Sequence, residues 1–105
     1  MPAVNRREKL ETMLQASPHD SMLRYMLALE LEKEAAHDRS LGYLQSLMQD
    51  SPPYVPAFLM AGQQLAKLGR IDEAMTAYRT GIVYAEQQGN SHAASELAGF
   101  LAAMA

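Results

Sequence analysis

Apolar residues along this chain recur at intervals of three and four, and no stretch sustains an apolar–polar alternation. Leu10, Met13 and Leu14 make one short apolar face, and Leu23, Leu27, Ala28 and Leu31 make the next. Leu41, Leu44 and Met48 follow, then Phe58, Ala61, Gly62 and Leu65, then Ile71, Ala74, Met75, Tyr78 and Ile82. Ala94, Leu97, Ala98 and Leu101 close the series. This pattern predicts six helices, at about 4–16, 20–34, 38–49, 55–68, 71–88 and 91–104.

The interruptions have chemical causes. Pro18, Pro52 and Pro53 cannot continue a helix, since proline lacks the N–H and disfavours α geometry at the residue before it. Asp20 is placed to cap the second helix, and Pro56 suits the first turn of the fourth. Gly69 stands where a helix end needs a left-handed residue, with Asp72 expected to cap the helix that follows. The segment QQGNS at 87–91 repeats that logic.

The faces also recur with a period. Pro18 and Pro52, Ala28 and Gly62, Ser40 and Ala74, and Leu44 and Tyr78 are each 34 residues apart. A third copy, Leu97-Ala98-x-x-Leu101, follows after 35 or 36 residues, the slip absorbed by a longer fifth helix ending at Gly89. A repeating helical hairpin can close tightly only where small residues face each other. Ala28 or Gly62 is therefore expected to meet Ser40 or Ala74, with Leu31, Leu65 and Tyr78 filling the space beside them. Gly81, mid-helix, costs about 1 kcal/mol relative to alanine, so a close contact should offset it there.

On these residues the chain resembles the tetratricopeptide-repeat (TPR) family. The repeat from about Val55 to Glu86 carries the resemblance best: Gly62 and Leu65 take the small and large places of its first helix. LGRIDEA at 68–74 matches the turn, and Ala74 and Tyr78 take the small and aromatic places of the second helix. The preceding repeat, from about Ser21 to Pro52, departs from the pattern. Arg24 replaces an aromatic, Ala35 the turn glycine, Ser40 an alanine and Leu47 a second alanine. Residues 4–18 look like the second helix of a truncated leading repeat, and 91–104 like a capping helix. The resemblance implies one all-α domain over 1–105, with repeats at 20–50 and 54–88: antiparallel helical hairpins stacked in a short right-handed solenoid.

Composition narrows the function. At 105 residues the chain is expected to be a single domain. The net charge is −3 and the nine basic residues are scattered, which excludes the clustered cationic footprint of a nucleic-acid binder. No cysteine is present, so disulfide and thiolate chemistry are excluded. MPAVNRREKLETM has no apolar core of a secretory signal, and no apolar run approaches the roughly 20 residues of a membrane helix. A soluble, cytoplasmic protein is expected. His19, His37 and His92 lie at turns or helix starts, where surface capping is the expected role, and no catalytic, cofactor or metal motif occurs. The expectation is a non-enzyme with no cofactor.

What remains is a surface. The resemblance implies that the first helix of each repeat lines a concave groove. It assigns Met22, Tyr25, Met26, Leu29 and Lys33 to one such helix and Leu59, Met60, Gln63 and Lys67 to the next. Exposed together, these residues would make an apolar patch with lysines at its rim, adaptable through its methionines. An unknown protein or peptide is the expected ligand. The Lys/Asn set with which one TPR subfamily clamps a chaperone C-terminus is replaced here by Tyr25, Leu29 and Met60. The alternative is self-assembly. Leu97, Leu101 and Met104 facing the stack would leave Ala93, Phe100 and Ala103 on an apolar flank, open to a homodimer or folding back toward Tyr84.

Overall fold

The computed structural model of the chain describes residues 4–104. Among these it forms six helices and no strand: α1 (Arg6–Ala16), α2 (Ser21–Lys33), α3 (His37–Met48), α4 (Pro56–Lys67), α5 (Ile71–Gln87) and α6 (Ser91–Ala103). Every boundary falls within two residues of the range that the apolar spacing predicts. The chain divides into two compact units, one ending at Leu47 and the other beginning at Met48.

In the first unit, Asn5 caps α1 by accepting from the Glu8 N–H at 2.8 Å, and Asp20 caps α2 by accepting from Leu23 at 2.9 Å. Leu10, Leu27 and Leu31 form the core, with Leu14, Leu23, Met26, Ala36 and Tyr43 half-buried against it. Ser40 is fully buried, and its hydroxyl donates to the Ala28 carbonyl at 2.7 Å. That bond is the predicted small-residue contact, made by a polar side chain. Three ion pairs join α1 to other elements: Arg6–Glu30 at 2.9 Å, Arg7–Glu34 at 2.9 Å and Arg39–Glu11 at 3.1 Å.

In the second unit, Val55, Phe58, Tyr78, Ala85 and Leu97 form the core. Gly62 faces the Tyr78 ring: a Cβ built there would lie 2.2 Å from Cε1. The small residue of α4 thus receives the large residue of α5, whereas the sequence reading paired it with Ala74. Gly81 is also a contact point, its would-be Cβ lying 2.6 Å from the Phe58 Cβ and 3.0 Å from Leu97 Cδ1. That close approach of α4 and α6 to α5 offsets the propensity cost of a mid-helix glycine. Tyr78 is buried, and burial pushes its phenol above the ordinary range.

The C-terminal ends of α2, α4 and α5 share one device. The Ala36, Arg70 and Asn90 N–H groups donate to Leu31, Leu65 and Ala85 carbonyls at 2.9, 2.9 and 2.8 Å. The residue before each donor has positive φ: Ala35 at 59°, Gly69 at 78° and Gly89 at 70°. These are Schellman closures, in which a left-handed residue lets the chain satisfy the last helical carbonyls. Asp72 does not cap α5. The cap position is Arg70, whose side chain makes no capping hydrogen bond, and Asp72 sits inside the first turn, where its charge suits the helix dipole. Asn90 does cap α6, accepting from Ala93 at 3.1 Å.

Candidate interaction surfaces

The stripe assigned to α2 is graded. Met22 is the most open large apolar residue among the described residues of the first unit, 63% exposed. Tyr25, Met26 and Leu29 are half-buried, and Lys33 is exposed. Met26 packs against Leu10, Leu27 and Leu31, so it belongs to the core margin and not to a free surface. Lys33 reaches Glu30 at 3.2 Å, the same carboxylate that Arg6 engages. On α4, Leu59 packs against the core of the second unit, Met60 and Gln63 are half-buried, and Lys67 is exposed. Of the nine assigned residues, the structure therefore leaves Met22, Lys33 and Lys67 fully at the surface and gives Met26 and Leu59 packing roles. Helical spacing alone could not separate these cases, because a residue at the edge of an apolar face serves both sides.

The flank of α6 is also corrected. Leu97, Leu101 and Met104 face the core as expected. Ala93 joins them, half-buried against the same cluster, so it does not lie on the outer flank. Phe100 stacks on Tyr78, centroids 5.9 Å apart, and remains 39% exposed. Tyr84, the partner considered for Phe100, instead stacks on Phe58 at 5.7 Å. Ala103 is exposed.

The structure adds a cleft that the motif reading did not find. It lies in the first unit, has a volume of about 440 Å³, and is lined by Pro18, His19, Arg24, Arg39, Gly42, Tyr43 and Ser46. Arg24 is 7% exposed, its guanidinium donating to Ser46 Oγ and to the His19 carbonyl, each at 3.0 Å. Gly42 lies mid-helix in α3, and a Cβ there would meet nothing within 4 Å. It carries the helical cost of glycine, about 1 kcal/mol, with no close contact to offset it. A signal for Arg24 was present: residues 24, 28 and 31 share one helix face, which puts an arginine among buried apolar positions.

The histidines are unremarkable as ligands. His37 Nδ1 lies 2.9 Å from Glu32, and His19 and His92 are exposed. Among the described residues no group of three or more His, Cys, Asp or Glu is placed to hold a metal. No helix there is long and apolar enough to cross a membrane.

Short helices closed by the same turn, with each hairpin using small residues for close approach, define an all-α helical-repeat protein. Known structures agree. A tetratricopeptide repeat domain protein from Salinibacter ruber, solved in solution, matches with a TM-score of 0.78 and 31% identity, over 83% of this chain and 88% of that one. A crystal structure of a tetratricopeptide repeat domain protein from the same organism gives 0.74 and 30%, covering 82% and 96%. A Bordetella parapertussis protein gives 0.80 and 25%, over 97% and 89%. No family model matches the sequence, and no curated protein does. The chain belongs to the tetratricopeptide-repeat family, and its fold is that of a helical-repeat protein-interaction module.

Proposed function

We propose that this protein is a non-enzymatic scaffold that binds a segment of another protein through the exposed face of α2. The observation that carries the reading is the α2 stripe. Met22, Tyr25 and Leu29 recur at helical spacing along a face that ends at Lys33, and Met22 stands open to solvent. A partly exposed apolar stripe with a lysine at its end suits an amphipathic helix or extended peptide bearing acidic residues. Self-association through Ala93, Phe100 and Ala103 is less favoured, because Ala93 and Phe100 already pack within their own unit.

The test is affinity capture with three single variants of the full chain. Met22→Glu and Lys67→Glu change exposed side chains, so stability should move by no more than about 0.5 kcal/mol. Met22→Glu should lose the captured protein, while Lys67→Glu, in the other unit, and Phe100→Glu should retain it. Capture that survives Met22→Glu would overturn the α2 reading, and a wild type whose light scattering rises with concentration and drops in Phe100→Glu would replace it with self-assembly.

A further inference from the structure

We infer that Met22 is a reversible oxidation site whose sulfoxide form turns off the α2 surface, a regulation that rests on the function proposed above. The chain has eight methionines and no cysteine, so no thiol competes with its thioethers for an oxidant. A peroxide must reach the sulfur lone pair, and access therefore sets which thioether reacts first. Among the described residues only Met13 and Met22 are exposed methionines, at 53% and 63%. The other five are half-buried, and Met26, Met48 and Met104 of these pack against the cores. In the reaction, the Met22 sulfur attacks one oxygen of hydrogen peroxide and the O–O bond breaks. The departing hydroxide takes the proton of the transferred OH and leaves as water. Sulfur is oxidised by two electrons and the peroxide is reduced; a dithiol-dependent reductase reverses the step, releasing the oxygen as water. The start of α2 does not depend on this side chain, because Asp20 caps it through the Leu23 N–H. Oxidation thus changes the surface and not the fold. Met22 opens the stripe that continues through Tyr25 and Leu29. An apolar partner covering the sulfoxide would strip water from a strong acceptor and offer no donor in return. Met13, similarly exposed but on α1 and outside the stripe, is an internal control.

The full chain is treated with graded hydrogen peroxide and mapped by peptide mass spectrometry. Met13 and Met22 should each gain one oxygen several-fold faster than Met26 or Met48, with the thermal melt unchanged. A partly oxidised pool is then offered to the protein that the untreated chain captures, and the bound and unbound fractions are mapped. Sulfoxide at Met22 should be depleted about tenfold or more from the bound fraction. Sulfoxide at Met13 should divide evenly, and a methionine sulfoxide reductase with dithiothreitol should return the unbound chain to the bound fraction. The inference is overturned if Met26 or Met48 oxidises as fast as Met22, if the melt falls as Met22 is oxidised, or if Met22 sulfoxide divides as evenly as that of Met13. An untreated chain that captures nothing, or an untreated Met22→Glu that still captures, would instead remove the α2 surface itself and the switch with it.

Discussion

Compared position by position, 34 residues apart, the α4–α5 hairpin pairs glycines with aromatics where the α2–α3 hairpin pairs side chains of more even size. Where α4 has Gly62 against the Tyr78 ring, the first hairpin has Ala28 and Leu44 at the matching places. Where α5 has Gly81 against Phe58, the first has Leu47 and Arg24. All eight positions are buried. In each pair an aromatic in the second hairpin is matched by a glycine, and a smaller or more flexible side chain in the first is matched by a residue with a Cβ. The first pair keeps its summed bulk while changing its members, as close packing demands, whereas the second does not, since Leu47 and Arg24 together are bulkier than Gly81 and Phe58. Phe58 belongs to the core of the second unit, while Arg24, at the matching place, lines a cleft in the first.

The largest expected effect breaks one pair directly. Gly62→Ala drives a Cβ into the Tyr78 ring, which is buried and also carries Phe100. A net loss of about 1–3 kcal/mol is expected in urea unfolding, since overpacking outweighs the helix propensity gained. Adding Tyr78→Leu copies the first hairpin's pairing and should recover part of that loss, so the two changes should couple in a double-mutant cycle. Additive effects would show that the hairpins do not exchange bulk in matched pairs.

A smaller effect tests the turns. Ala35 and Gly69 make the same closure at φ 59° and 78°. Left-handed geometry costs an L-residue about 1–2 kcal/mol, offset by the entropy that glycine adds to the unfolded chain, about 0.4–1 kcal/mol. Ala35→Gly should thus stabilise by roughly 0.5–1 kcal/mol, and Gly69→Ala should destabilise by a similar amount. Thermal melts of both variants decide. Shifts of the same sign would mean that the two turns only look equivalent.

These comparisons mark where sequence reasoning carried and where it stopped. The helices, the Asp20 cap and the left-handed turn at Gly69 were legible because each depends on neighbours in sequence. The matched exchange at Ala35 was visible too, since the 34-residue period aligns it with Gly69. Long-range choices were not legible. The period places Gly62 near the second helix, but only packing decides that Tyr78 and not Ala74 fills the space. Met26 and Leu59 sit at the edge of an apolar face, where core and surface have the same spacing. Asp72 looked like a cap because acids favour helix starts generally; the turn geometry put Arg70 at the cap position instead. The stripe on α2 was half legible: its membership followed from periodicity, but its exposure did not.

The smallest effect concerns how charge is used in the two units. In the first, Glu11 links α1 to Arg39 of α3. In the second, Glu73 pairs with Arg70 across a single turn, at 2.6 Å. Arg39's hydrogen bond holds the Glu11 carboxyl below its usual range, with Arg7 contributing, and Arg70 does the same for Glu73. A carboxylate with a lowered folded-state pKa contributes stability above its unfolded value, about 4.3, and loses it as pH falls through the lowered value. Acid should therefore release a link between helices in the first unit but only a local turn contact in the second. Glu73 is exposed and Glu11 half-buried at the surface, where solvent screens both pairs, so the global melt should barely move. The readable change is local: corrected hydrogen-exchange protection of α1 amides should fall below that range while α4 and α5 stay protected. Glu11→Gln at neutral pH should reproduce the loosening of α1, and moderate salt should partly imitate it. Equal loss of protection in both units would show that Glu11 does not tie α1 to α3 in solution.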